Sequence, residues 1–177
     1  MWITVLLILV LLLSDQVTKY LAQILISEFQ VIEVIPNFLN LTLIYNKGAA
    51  WGFLSDNTIV LVIISFIGMF ILGWFAYKND WKKLKTLSLG VTLAFAGCVG
   101  NLIDRLFSVI PSLASSREGV VDMIILKPLD FISNLISGYD FPIFNLADVY
   151  LVIGVILISI DFIILEEKRK KKNEVSN

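Results

Sequence analysis

The chain has 177 residues, 58% of them hydrophobic and 16% charged, with a formal net charge of −1. A mean hydropathy of +0.86 lies outside the range of soluble globular domains and marks an integral membrane protein, with a single domain expected for this length. The absence of histidine excludes Ser-His-Asp triads, Cys-His pairs and imidazole metal sites, and one cysteine, Cys98, excludes an internal disulfide.

Residues 1–13 are apolar and uncharged, after which Asp15 and Lys19 enter the same segment. No basic stretch precedes the run and no small-x-small site follows it, so it reads as a retained first span over about 1–26 and not as a cleaved leader. Between 28 and 56, Val31–Ile35 and Leu39–Tyr45 are rich in β-formers and separated by Pro36-Asn37, which predicts a small sheet or hairpin at the membrane surface.

Residues 58–77 carry no charge and suffice to cross a hydrocarbon core of about 30 Å. A third span runs over 86–106 and turns polar at its far end, where Asn101, Asp104 and Arg105 lie. Residues 106–140 are mixed in character, with Pro111, Gly119 and Pro128 as breakers and Leu129–Ile136 as a candidate short interfacial helix. The fourth span covers 144–165, and 166–177 forms a basic tail. The expected architecture is therefore an all-α membrane protein of four transmembrane helices with a small extracytoplasmic β-element and a long outer loop. Of the 14 Lys and Arg residues, four lie in 78–85 and five in 168–172. The positive-inside rule then places that loop and both termini in the cytoplasm.

Helical rise turns this topology into depth. Measured from the cytoplasmic ends, Asp15 lies about 21 Å up its span, Asn101 and Arg105 about 24 and 30 Å, and Asp148 about 26 Å. Three spans thus bring polar groups to one outer layer. Asp15 with Lys19 and Asn101 with Arg105 are i,i+4 pairs, and Asn145 with Asp148 is i,i+3, so each set shares a helical face that must turn away from lipid. A structural role as polar glue suits Asp15–Lys19 and Asp104–Arg105. Asp148 has no basic residue one turn away and needs a partner from elsewhere. Asp122, set among Val120, Val121, Met123 and Ile124 in the outer loop, is the available group. Two carboxyl groups sharing a site divide into an acid and a base, which suits water activation for attack on a carbonyl.

Two other functions fit parts of the pattern. A proton- or cation-coupled carrier could use Asp15, Asp122 and Asp148, although the charges gather toward one face and no internal repeat is visible. A Ser-Lys hydrolase would need Ser14 and Lys19, which lie about 140° apart around a helix. No P-loop, GxGxxG, CxxC or basic-aromatic pattern points to a cofactor, metal or nucleic acid, and Cys98 reads as a small buried residue.

Five motifs in order, Asp15-Gln16-Val17-Thr18-Lys19, Asn46-Lys47-Gly48-Ala49-Ala50-Trp51-Gly52, Gly100-Asn101-Leu102-Ile103-Asp104-Arg105, Val120-Val121-Asp122 and Phe144-Asn145-Leu146-Ala147-Asp148, resemble those of the lipoprotein signal peptidases (signal peptidase II), aspartyl proteases of the bacterial cytoplasmic membrane. The resemblance spans most of the chain. It implies a periplasmic β-cradle, a catalytic dyad of Asp122 and Asp148, no cofactor and no metal, and a monomer among membrane lipids. The implied substrate is a diacylglyceryl-modified prolipoprotein, cut just before its lipid-bearing cysteine, with sensitivity to globomycin. Asp15, Lys19, Asn46, Gly48, Asn101, Asp104, Arg105, Asn145 and Ala147 are the implied supporting or substrate-binding positions. Trp51 replaces the usual Phe of the family, and the segments 107–119 and 125–139 are longer than usual. Long outer segments of this kind are expected to form a mobile lid over the site.

Overall fold

A largely apolar segment, interrupted by Ser14–Gln16 and Thr18–Lys19, makes helix α1, Trp2–Leu25, in which only Thr4, Asp15, Lys19 and Ala22 are buried by the rest of the protein. The computed structural model describes residues 2–48, 57–110 and 119–165. After α1 come strands β1 (Ile32–Ile35) and β2 (Leu39–Asn46), helices α2 (Thr58–Lys78) and α3 (Lys85–Val109), strand β3 (Val120–Leu126), helix α4 (Lys127–Ser137) and helix α5 (Leu146–Ile160), which runs on as a π-helical turn, Asp161–Leu165. Four helical segments, with α5 counted through its π turn, are long and apolar enough to cross a membrane. Their outer faces keep residues such as Leu9, Ile63, Phe70, Val152 and Ile156 exposed on the bare protein, as surfaces meant for hydrocarbon must be.

Helix α3 is the central element, and its packing against α5 rests on missing side chains. A Cβ at Gly97 would lie 2.3 Å from the Ala147 carbonyl oxygen, and one at Gly154 would lie 2.5 Å from the Ala94 backbone nitrogen. Where lipid supplies no hydrophobic drive between helices, such close backbone approach provides the van der Waals contact that holds them together.

The sheet has the order β1-β2-β3 and is antiparallel throughout. It packs on the end of α1 through a core of Ala22, Ile26, Leu43, Val121 and Met123. The hairpin expected before residue 46 is present, whereas β3 replaces what reads in sequence as irregular outer loop. Its seven residues, Val120 to Leu126, form a short apolar β-branched run around one aspartate, which is the pattern of a strand buried on both faces.

Neither long outer segment is simply loop. Helix α3 continues to Val109, three residues past the expected end of the third span, while 111–118 lie outside the described residues. The segment 125–139, expected as a mobile lid, contains the end of β3 and the whole of α4, which encloses the interfacial helix anticipated at 129–136. Helix α4 ends at Gly138, whose φ of 77° lies in the left-handed region that glycine adopts without strain. Trp51 and the basic tail also fall outside the described residues.

Candidate active site

The polar groups meet where α1 and α3 end, α5 begins and β3 crosses. Asp122 sits on β3, and its position depends on an irregularity in the neighbouring strand. Leu41 pairs with Ile124 and Ile44 with Asp122, so three steps along β2 match two along β3. This bulge bends the ladder beside the aspartate and re-aims its side chain. Asn46 Nδ2 donates to Asp122 Oδ2 at 2.9 Å, and the Gly48 N–H donates to Asn46 Oδ1 at 3.0 Å, which orients that amide.

Asp148 is fixed by the start of α5. Asn145 is the N-cap: its Oδ1 accepts from the Asp148 N–H at 3.0 Å, and its own N–H donates to Asp148 Oδ2 at 3.1 Å, a reciprocal capping box. Asn101 Nδ2 reaches across from α3 to Asp148 Oδ1 at 2.7 Å.

Asn145 also links the two carboxylates. Its Nδ2 donates to Asp122 Oδ1 at 2.6 Å while its backbone holds Asp148, so one residue joins the strand carboxylate to the helix carboxylate. The same Nδ2 lies 3.1 Å from Asn101 Oδ1 and 3.3 Å from the Val121 carbonyl. Asn145 is wholly buried, so these bonds do not compete with solvent.

Beneath this pair lies an ionic layer. Lys19 Nζ is 2.9 Å from Asp15 Oδ2 and 2.8 Å from Asp104 Oδ2, and it donates to Asn101 Oδ1 at 3.0 Å. Both aspartates also accept from backbone: Ala147 N–H to Asp15 Oδ1 at 3.0 Å, and Val121 N–H to Asp104 Oδ2 at 3.3 Å. Lys19 and Asp104 are fully buried. The lysine therefore ties α1 to α3 and, through the two aspartates, to the start of α5 and to β3. Asp104 and Arg105, read together in the sequence as polar glue, turn to different partners. Consecutive helical residues point about 100° apart, and Asp104 forms an ion pair with Lys19. Arg105 donates to Ser65 Oγ of α2 at 3.2 Å, while its buried Nε has no hydrogen-bond partner among the described residues.

The electrostatics separate Asp122 from an ordinary carboxylate. Burial, and then the neighbouring Asp148 charge, push its pKa up to about 7, against the opposing effect of the Asn46 and Asn145 amides and of Lys19. Near neutral pH this carboxyl can therefore both hold and release a proton. An apolar cavity of about 380 Å³ is lined by Leu21 and Leu25 of α1, Ile32, Leu41 and Met123 of the sheet, and Leu146. Its lining residues Met123 and Leu146 are the chain neighbours of Asp122 and Asn145, which do not themselves line it.

The eleven candidate positions lie in this one assembly, with Arg105 at its edge. Ser65 was missed in sequence; a lone serine inside the uncharged second span was the available signal. The Ser14–Lys19 hydrolase fails on geometry, since Ser14 Oγ donates to the Leu11 carbonyl and lies 2.9 Å from the Tyr150 hydroxyl, while Lys19 is held by Asp15 and Asp104. Cys98 is half-buried, with its thiol directed at the Ser65 carbonyl. Among the described residues no group of His, Cys, Asp and Glu has metal-binding arrangement.

Four membrane-length helices, a three-stranded sheet and a buried polar cluster where they meet define a polytopic membrane protein with a built internal site. A family model for signal peptidase (SPase) II matches residues 7–164, and the chain belongs to that family of peptidases. It is 41% identical to the lipoprotein signal peptidases of Staphylococcus aureus strains bovine RF122 / ET3-1 and JH9 over 161 residues, covering 91% of this chain and 87% of each relative. Two solved structures, described as bacterial membrane enzyme structures obtained by the in meso method at 2.3 Å and 1.9 Å resolution, share its fold. The first is 37% identical with a TM-score of 0.75 and covers 97% of this chain and 92% of that one. The second is 38% identical with a TM-score of 0.73 and covers 93% and 94%. Nothing in these likenesses supports the carrier reading.

Proposed function

We propose that this protein is an aspartyl endopeptidase that removes the signal peptide from diacylglyceryl-modified prolipoproteins, cutting before the lipid-bearing cysteine. The observation that carries this reading is the linkage of Asp122 and Asp148, from separate elements, through the single buried residue Asn145. Below pH of about 7 Asp122 holds the proton. Asp148 then takes a proton from a water molecule, which attacks the scissile carbonyl, while Asp122 donates its proton to the carbonyl oxygen. Collapse of the tetrahedral intermediate breaks the C–N bond, and the leaving nitrogen takes a proton from the dyad. The apolar cavity between α1, the sheet and Leu146 takes an apolar portion of the substrate. Lys19, Asp15, Asp104, Asn101, Asn145, Asn46, Gly48 and Ala147 act as positioning residues, since their bonds run to one another and to the dyad. The Nε of Arg105, unpaired among the described residues, is available to a substrate carbonyl.

In this reading the enzyme works as a monomer in the bacterial cytoplasmic membrane, with lysine-rich 78–85 and both termini inside and the sheet outside. The test is cleavage of a lipid-modified prolipoprotein by purified protein, comparing wild type with Asp122→Asn and Asp148→Asn. Each substitution keeps shape and removes a titratable proton, so each is expected to cut the rate by at least about 100-fold while the melting transition is retained. Full cleavage by either variant overturns the dyad. Inhibition by globomycin is expected of the wild type.

A further inference from the structure

Helix α4 exposes its apolar face. Its polar residues Asp130, Ser133, Asn134 and Ser137 fall at i, i+3, i+4 and i+7 and so share one stripe. One side of that stripe turns toward the protein, where Asp130 and Ser133 are buried, while Asn134 and Ser137 on its other side stay exposed; Asp130 Oδ1 accepts from the Phe141 N–H at 3.1 Å, and Asp130 Oδ2 accepts from Lys127 Nζ at 3.1 Å. Asn134 Nδ2 donates to the Asp130 carbonyl at 3.0 Å and to Asp140 Oδ1 at 2.7 Å, fastening the return strand to the helix. The opposite stripe is wholly apolar and faces out, with Phe131 75%, Ile132 52%, Leu135 79% and Ile136 81% exposed, followed by Tyr139 at 71%. A surface helix in water has these two faces the other way round.

Three features identify what covers the apolar stripe. At 11 residues the helix is about 16 Å long, too short to span a hydrocarbon core of about 30 Å, so it can enter the bilayer only along its surface. No charged side chain interrupts the outward stripe; Lys127 and Asp140 stand at the two ends of the segment. The face also adjoins further exposed apolar surface at the sheet's edge. The Lys127 N–H donates to the Phe38 carbonyl, which brings the start of α4 beside the β1–β2 turn, where Val34, Ile35 and Phe38 are exposed.

We infer that α4 is an in-plane membrane anchor, its Phe131-Ile132-Leu135-Ile136 stripe seated at the headgroup–acyl boundary of the bilayer that the four spanning helices cross. The anchor has a place in the architecture. It interrupts the chain between β3, which carries Asp122, and α5, which carries Asp148, and the two flanks are re-joined by the Ile124–Phe144 bridge. Seating α4 in lipid therefore fixes the height of both segments relative to the membrane surface. The inference rests on the spanning helices and stands independently of the proposed peptidase chemistry.

The test uses full-length protein in liposomes of phosphatidylglycerol and phosphatidylethanolamine. In a Cys98→Ser background, single Phe131→Cys, Leu135→Cys, Ile136→Cys and Asn134→Cys variants carry a nitroxide spin label. Oxygen, which concentrates in lipid, is expected to relax the labels at 131, 135 and 136 more strongly than a water-soluble nickel chelate, with the order reversed at 134. Dominance of the nickel chelate at 131, 135 and 136 would place the stripe in water and overturn the anchor. Disulfide-linked dimers of unlabelled Leu135→Cys under mild oxidation, with spin–spin broadening at 135, would assign the face to a second copy and overturn it equally. Both readouts report on protein folded in the bilayer and neither depends on cleavage.

Discussion

At the scale of single residues, Asp122 sets a pH dependence with a definite sign. Its carboxyl titrates near 7 in the fold and near 3.9 in an unfolded chain, so between those values the native state binds more protons than the unfolded state. Stability is then present in full below about pH 4 and is lost as pH rises toward 7, by an amount on the order of 4 kcal/mol for so buried a group. Asp122→Asn removes the group and with it this dependence. Melting temperatures of wild type and Asp122→Asn in detergent at several pH values are expected to diverge progressively from pH 4.5 to 7.5, with the variant gaining on the wild type. A constant difference would contradict the raised pKa. On the proposed mechanism cleavage should decline as pH rises through about 7, because the protonated carboxyl assigned to polarise the carbonyl is lost.

At the scale of elements, two kinds of contact hold the helices, and each has its own substitution. Lys19 neutralises two buried aspartates belonging to α1 and α3. Lys19→Met keeps the apolar stem and leaves Asp15 and Asp104 without their shared cation, a change worth about 3–5 kcal/mol for a buried pair broken from one side. The expected readout is a large fall in melting temperature with loss of cleavage. Gly97 allows α3 and α5 to touch at the backbone, and Gly97→Val sets a branched side chain against the Ala147 carbonyl, for which the space is 2.3 Å. The helices must separate, at about 1–3 kcal/mol if the core adjusts. Because Ala147 precedes Asp148, the cleavage rate should fall further than stability alone explains. Equal activity at matched folded fraction would show that the crossing does not set the dyad.

At the scale of the whole molecule, α4 lies between the two segments that carry the proposed dyad, and removing it tests whether those segments keep their register unaided. Joining Leu126 to Asp140 with a short glycine-rich turn leaves β3 and the Ile124–Phe144 bridge in place. The shortened protein should fold but process membrane-embedded prolipoprotein more slowly or with a higher KM. Unchanged processing of every substrate tested would leave α4 without a role in catalysis.

Much of this was legible in the amino-acid sequence because the bilayer constrains the chain strongly. Uncharged runs of span length have one available structure, the helix, and the spacing of Asp15, Lys19, Asn101 and Asp148 along those helices fixed their common depth through the helical rise. The five ordered motifs named the family. What sequence spacing could not supply was direction around and between helices. Asp104 lies beside Arg105 in the chain yet pairs with Lys19 on another helix. β3 escaped notice because a short apolar run is ambiguous between strand and helix until a neighbour such as β2 offers hydrogen bonds. The meeting of Asp122 with Asp148 through Asn145 depends on a strand bulge, a helix cap and a glycine-mediated crossing acting together. The sequence by itself determined which groups would be buried and at what level. Only the tertiary structure decided which of them touch, because a buried polar group must find its partner across elements that the sequence does not order in space.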